Sequence, residues 1–307
     1  MFTNLFNLTK KAVTVFSSSD KGAPTLTNDA GSLKTLLKAC LVTGYGDKKA
    51  LGWQMKYETD DQTSAVFVSA DKTSGGYHFK VDNTDKDVKL SVYRTMTAFD
   101  AGQNPMVVGR IYRARASEWR LIGHEKAFIL LLNLPVKSNG STPCAYPIIF
   151  GDAPSQSNHV APNCVFWSAS DNGVTNYYQG VGGVQSTLFY RKNGYFTLKD
   201  DKTVDYAYCH PFLLSSGTSA INIKTARCRF DYQNMLSEYV LYEPILFTTH
   251  DGSWSLLPHL MPVSGRLEQA NLGMLDDKLM LARTGWYDGD AQNGNNDCVI
   301  ATDFWWA

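Results

Sequence analysis

Apolar residues recur along this chain with two different periods. Between Ser32 and Gly44 they fall at Leu33, Leu36, Leu37, Cys40 and Leu41, the i, i+3, i+4, i+7, i+8 spacing of one helical face. Ser32 is placed to cap this helix and Gly44 to end it, with Lys34 and Lys38 one turn apart on another face. So wide a stripe predicts a helix packed on a larger body. Earlier still, Phe2, Leu5, Phe6 and Leu8 form a short amphipathic stretch that is too brief to be a stable helix alone. It predicts either a first core element or an arm that docks on a neighbour.

Beyond Gly46 the pattern is that of strands: short runs rich in Val, Ile, Tyr, Phe and Thr between Gly, Asn, Asp and Pro punctuation. The runs are 65–69, 77–81, 89–97, 107–114, 126–132, 146–150, 164–168, 187–191, 195–198, 220–230, 237–248 and 278–282. Asn193-Gly194, between two aromatic runs, predicts a tight hairpin turn, because both residues tolerate positive φ. No solenoid or propeller repeat is visible, and strands do not alternate with helices. The expectation is a mainly β protein: antiparallel, sandwich-like lobe or lobes with one N-terminal amphipathic helix. Pro135, Pro143, Pro147, Pro154 and Pro162 cluster near the middle. That divides the chain into lobes at 1–135 and 136–307, or else marks long loops within one domain.

Composition narrows the partners. The 307 residues carry 29 basic and 29 acidic side chains, a formal net charge of zero. Phosphate recognition needs concentrated positive surface, so nucleic acid is not an expected partner. Arg110, Arg113, Arg115 and Arg120 alternate with Ile111, Tyr112 and Trp119, which predicts a strand with a solvated arginine face. The longest apolar run, Ala127 to Leu132, is far too short to cross a bilayer, and no secretory leader is recognisable. Synthesis in a cytoplasm is expected. The six cysteines have no metal-ligand spacing and are expected as small core residues, with a Cys209–Cys228 disulfide left open.

The residues that could carry chemistry do not form a recognisable set. There is no nucleophile elbow, P-loop, zinc-protease or dinucleotide motif. Gly180-Val181-Gly182-Gly183 is followed by an aromatic run and not by a helix start, so it reads as a loop. His250, Asp251, Ser253 and His259 supply triad residue types in what looks like a turn, and adjacency in sequence does not supply triad geometry. The pairs Asp60-Asp61, Asp200-Asp201 and Asp276-Asp277 are adjacent, so on strands they would point to opposite faces. The expectation is a protein that is not an enzyme, with no cofactor or metal. Phe304-Trp305-Trp306 either closes a final buried strand begun by Val299 and Ile300 or plugs into a partner.

Several blocks carry a resemblance. They are Gly22-Ala23-Pro24-Thr25-Leu26, Ala30-Gly31-Ser32-Leu33, the run Leu36 to Val42, Gly44-Tyr45-Gly46 and Gly52-Trp53. Together they resemble the start of a family of tailed-bacteriophage virion structural proteins. Arg94 to Gly102, Glu125 to Leu130, Phe150-Gly151-Asp152 and Val263-Ser264-Gly265-Arg266-Leu267 are similar to later blocks of that family. The early N-terminus and the proline-rich middle depart from it. The resemblance implies a particle component made in a bacterial host, whose partners are copies of itself and other virion proteins, and it brings no catalytic residues. The resulting expectation is assembly in multiple copies in the tail or baseplate. A head decoration protein and a module recognising host-surface glycan are the alternatives. Phe2, Leu5 and Phe6 of the arm and Trp305 and Trp306 of the tail are the expected docking residues.

Overall fold

The computed structural model of the protein describes residues 8–84, 87–103, 106–112, 118–133, 145–154, 163–168, 186–190, 206–209, 225–228, 242–247, 254–256, 260–262, 279–284 and 296–307. Strands β1 (Lys10–Ala12) and β2 (Thr14–Ser17) precede helix α1 (Ser32–Lys38), which runs into a π-helical turn, Ala39–Thr43. Then come β3 (Trp53–Glu58), β4 (Ala65–Ser69), β5 (His78–Asp82), β6 (Asp87–Tyr93), β7 (Thr95–Ala98), β8 (Ala101–Gln103) and β9 (Met106–Tyr112). β10 (Glu118–His124), β11 (Ala127–Asn133), β12 (Ala145–Ala153), β13 (Asn163–Ser168), β14 (Ser186–Tyr190) and β15 (Tyr206–Cys209) follow. The rest are β16 (Thr225–Cys228), β17 (Tyr242–Phe247), β18 (Trp254–Leu256), β19 (Leu260–Pro262), β20 (Leu279–Thr284), β21 (Asn296–Ala301) and β22 (Phe304–Trp306).

The fold is mainly β and almost wholly antiparallel, as the strand-length runs predict. One sheet runs β3-β4-β5-β6-β9. A second runs β15-β14-β13-β12-β11-β10-β2, with β19, β20 and β21 joined to it through a parallel bridge between Ala145 and Thr284. β16-β17-β18, β7-β8 and β1-β22 are smaller sheets. The expected seam at 135/136 falls between β11 and β12, which pair in register from Ala127↔Gly151 to Asn133↔Ala145. Beyond β13, β14 pairs with β15 through Tyr190↔Tyr206. The Asn193-Gly194 turn itself lies outside the described residues.

The two large sheets face each other across an aromatic cluster. Phe79 of β5 stacks on Phe150 of β12 at 4.9 Å between centroids and meets Phe128 and Phe166 edge-on. Trp53 of β3 packs against Phe128 and Phe150. Such pairs contribute about 0.5–1.5 kcal/mol each beyond the area they bury. The far face of the second sheet is buried too, at Ile122, Ile129, Leu131 and Ile149. Burial on both faces explains why 127–132 reads as an unbroken apolar run.

Helix α1 closes one side of this core, with Leu33, Leu36, Leu37, Cys40 and Leu41 all fully buried. Its start differs from the expectation. The N-cap residue is Gly31, at φ 75°, and Ser32 is already helical. The Ser32 hydroxyl accepts the Thr27 N–H instead, at 2.8 Å. The free helical Leu33 N–H is taken by Oδ1 of Asn83, at 3.0 Å, from the turn after β5. A residue fifty positions away therefore does the work assigned to a local serine. At the other end Gly44 terminates the helix as expected, at φ 76°, where a side chain would strike the Lys48 carbonyl. Lys34, expected on another face than the apolar stripe, is buried and pairs with Glu58 at 2.8 Å.

Candidate functional site: the paired chain ends and the polar turn beneath them

The ribbon β1–β22 joins residues from opposite ends of the sequence. Its register is Lys10↔Trp306, Lys11↔Trp305 and Ala12↔Phe304. Two further main-chain hydrogen bonds extend it, Thr9 N–H to Ala307 O at 2.8 Å and Ala307 N–H to Thr9 O at 2.9 Å. Alternation along a strand gives the ribbon two unlike faces.

The inward face carries Lys11 and Trp305. Trp305 is 1% exposed, its indole N–H donates to the Ala301 carbonyl, and its ring meets His124 edge-on at 5.5 Å. Lys11 pairs with Glu125 at 2.6 Å. The outward face carries Lys10, Phe304 and Trp306. The two aromatic rings are 5.6 Å apart and the Lys10 ammonium lies 4.3 Å from the Phe304 centroid. Both rings are half-buried. The two expected docking tryptophans thus have different positions: Trp305 is held inside its own chain and Trp306 lies on the surface of the ribbon. Phe2, Leu5 and Phe6 lie outside the described residues, in the segment that leads directly into β1.

Beneath the ribbon, His124, Glu125 and Lys126 form the turn between β10 and β11. Trp53 donates to the His124 carbonyl at 3.1 Å and Ser69 to the Glu125 carbonyl at 2.7 Å, so β3 and β4 hold the turn from below. The Lys126 N–H donates to His124 Nδ1 at 3.1 Å, which fixes a neutral ring. Burial pushes His124 down to about 4, against the opposing pull of the Glu125 carboxylate. The Lys11 hydrogen bond holds Glu125 below the usual carboxylate range against the cost of its burial.

Asp152 lies nearby, two residues past Phe150 and on the same face of β12. Its oxygens share the Gly75 N–H, at 3.1 and 3.2 Å, and its own N–H donates to the Lys126 carbonyl. Burial pushes it up to about 7. Neither Asp152 nor the His124 turn stands out in the sequence as a site. The signals were a charged triplet between two apolar strand runs and an acid directly after a glycine at the end of a third.

Other candidates fall elsewhere. His78 is buried on β5 and accepts a hydrogen bond from Lys56 at 3.1 Å. Burial and the nearby lysine push it down to about 4. His159, His210, His250 and His259 lie outside the described residues, as do Gly180–Gly183 and the Asp200 and Asp276 pairs. Asp61 caps an exposed turn by accepting from Thr59 and Thr63. Arg110 and Arg120 belong to different strands in different sheets, and Arg113 and Arg115 lie outside the described residues. Cys40 and Cys164 are buried and form no disulfide. Cys209 and Cys228 lie on β15 and β16, in separate sheets, and their side chains are outside what is described. Among the described residues no three His, Cys, Asp or Glu side chains gather as a metal-sized group, and no helix is long and apolar enough to cross a membrane.

The chain matches no protein-family model, no curated protein and no solved structure.

Proposed function

We propose that this chain is a tailed-bacteriophage virion structural protein that assembles in multiple copies on the particle, in the tail or baseplate. The observation that supports an assembly role is the terminal ribbon. It places Lys10 beside the outward aromatic residues Phe304 and Trp306 of β22, a cationic and aromatic patch of the kind a partner surface can take. Such a patch gains from repetition: identical subunits in closed symmetry sum modest contacts into high avidity. Aromatic anchors within a polar rim are the residue types that dominate such contacts.

The polar turn belongs to the same reading. His124 Nδ1 accepts the Lys126 N–H, Glu125 pairs with Lys11, and the His124 ring packs on Trp305, so the turn seats the ribbon. The test is immunogold microscopy of purified particles with an antibody against this chain. Label at the tail tip or baseplate supports the proposal, and label over the capsid replaces it with head decoration. Disrupted particles that carry no label overturn it.

A second reading, host-surface glycan recognition, draws on the outward pair Phe304 and Trp306 with Lys10 beside them, since sugars stack on such rings. Binding of purified protein to host polysaccharide that is lost in Trp306→Ala supports that reading, and no binding removes it.

A further inference from the structure

The strands β6 and β9 do not end where they leave their sheet. Beyond Val92↔Met106 the Arg94 N–H donates to the Gln103 carbonyl, and pairing resumes as Thr95↔Gln103 and closes at Ala98↔Ala101. On the β6 side the chain bends at Arg94, and β7–β8 lies over the outer face of the five-stranded sheet, reaching Tyr57 and Lys80.

Its attachment there is narrow. The Met96 side chain is buried, Tyr57 of β3 donates to the Met96 carbonyl at 3.1 Å, and Gly102 lies against Tyr93. At the tip, Lys80 of β5 reaches Asp100 at 2.7 Å, and its ammonium lies 3.9 Å from the Phe99 centroid. Thr95, Thr97, Ala98, Ala101, Gly102 and Gln103 are exposed.

The Lys80 side chain is 9% exposed while Asp100 is 84% exposed, so a buried charge on the sheet depends on a carboxylate at a surface tip. A buried ammonium is costly without a partner, so the site on β5 demands an aromatic-acidic tip. It does not demand that the tip come from the same chain. An isolated two-stranded hairpin is at best marginally stable, so this one needs a sheet to lie on. The β7–β8 ladder is separate from the β6–β9 ladder, so it does not depend on the sheet for its own pairing. Extended, the tip reaches about 17 Å beyond Arg94 at roughly 3.3 Å per residue.

We propose that β7–β8 is an exchanged arm: in the assembled protein the Phe99-Asp100 tip of one copy docks on Lys80 of a second copy. The occupant is fixed by complementarity already present, because the arm that fits the site within one chain offers the same aromatic ring and carboxylate between chains. Exchange of an identical element is a low-cost route to association, since it repeats contacts each chain already makes. The inference rests on the assembly reading above and specifies how two copies join.

The test uses the native ion pair. Chains labelled with light or heavy nitrogen are unfolded together, refolded as an equal mixture and fractionated by size. Each fraction is treated with a carbodiimide, which joins the Lys80 amine to the Asp100 carboxylate. Cross-linked peptides of hybrid mass in the assembled fraction are expected, with only unmixed masses in the monomer fraction. Unmixed masses alone in the assembled fraction overturn exchange while leaving assembly standing. A chain that stays monomeric at every concentration overturns both.

A second experiment needs no refolding. Lys80→Glu and Asp100→Lys are each expected to lose association, and mixing the two variants is expected to restore it, because both reciprocal pairs become attractive only between chains. Failure of the mixture to associate, with both variants folded, overturns the exchange.

Discussion

The inner face of the five-stranded sheet presents Phe67, Phe79, Val81 and Val92 to the aromatic cluster, while its outer face presents Val66, His78, Lys80 and Ser91. All eight side chains are buried. The inner residues are buried by contact with a second large sheet, where apolar area alone is the driving force. The outer polar groups are held by local partners: Lys56 for His78, and Phe99 with Asp100 for Lys80. Equal burial therefore hides unequal dependence. The inner face is secured by many neighbours at once and the outer charge by one short hairpin.

Removing an inner ring should break the fold most. Phe79→Ala leaves a cavity between Phe128, Phe150 and Phe166 and is expected to cost about 3–5 kcal/mol in urea unfolding, with an unchanged m-value. A loss below about 1 kcal/mol would mean the sheets are not packed through this ring.

Asp152 tests the same inner space by pH. Its folded pKa is raised from 3.8 to about 7, so the neutral acid is favoured in the folded chain and its contribution is complete below 3.8. Stability from this group is lost as pH rises towards 7, with a slope approaching about 1.4 kcal/mol per pH unit. Asp152→Asn should remove that slope. His78 and His124 act with the opposite sign: each is lowered from 6.5 to about 4, so each contributes above 6.5 and is lost as pH falls. A pH–stability profile identical in the wild type and Asp152→Asn would count against a neutral buried acid.

Asn83 lies at the end of the same sheet. Asn83→Ala leaves the Leu33 N–H without its acceptor and should cost about 1–2 kcal/mol, whereas Ser32→Ala should cost less because Ser32 is not the cap. Equal losses would restore the local cap.

The smallest effects belong to the outer face. Asp100→Ala leaves the buried Lys80 ammonium without its carboxylate, so it should cost more stability than Lys80→Met, which removes the charge itself. Lys80→Met, which removes the buried charge and keeps the stem, should change stability by less than about 1 kcal/mol in either direction. A large loss in Lys80→Met would show that the outer face depends on its charge as strongly as the inner face depends on its rings.

The residue pattern made the fold class legible because burial on one face of a strand or helix leaves a period in the chain. The helix stripe from Leu33 to Leu41 and strand runs such as 65–69 and 164–168 were readable for that reason. β1, β2, β3, β8, β10, β15, β18 and β19 were not picked out. Lys10–Ala12 and Thr14–Ser17 are short and polar, and Trp53–Glu58 carries a register shift that breaks its alternation. The candidate site was legible only as a pair of aromatic ends. That Trp305 turns inward onto His124 while Trp306 stays outside depends on the register with β1, nearly three hundred residues away.

What the sequence alone determined is where apolar surface must be buried: one helix face, a set of strands, and aromatic residues numerous enough to fill a core between sheets. These are local consequences of side-chain periodicity, and a chain of this length can satisfy them without disulfides or metals. What only the tertiary structure decided is which polar groups share that burial and who satisfies them. Asn83 caps a helix, Glu58 neutralises Lys34, Asp100 reaches Lys80, and the His124 turn seats the joined chain ends. A hydrogen bond or ion pair needs a partner at a defined distance and angle, and residues far apart in sequence reach that geometry only when the sheets have paired.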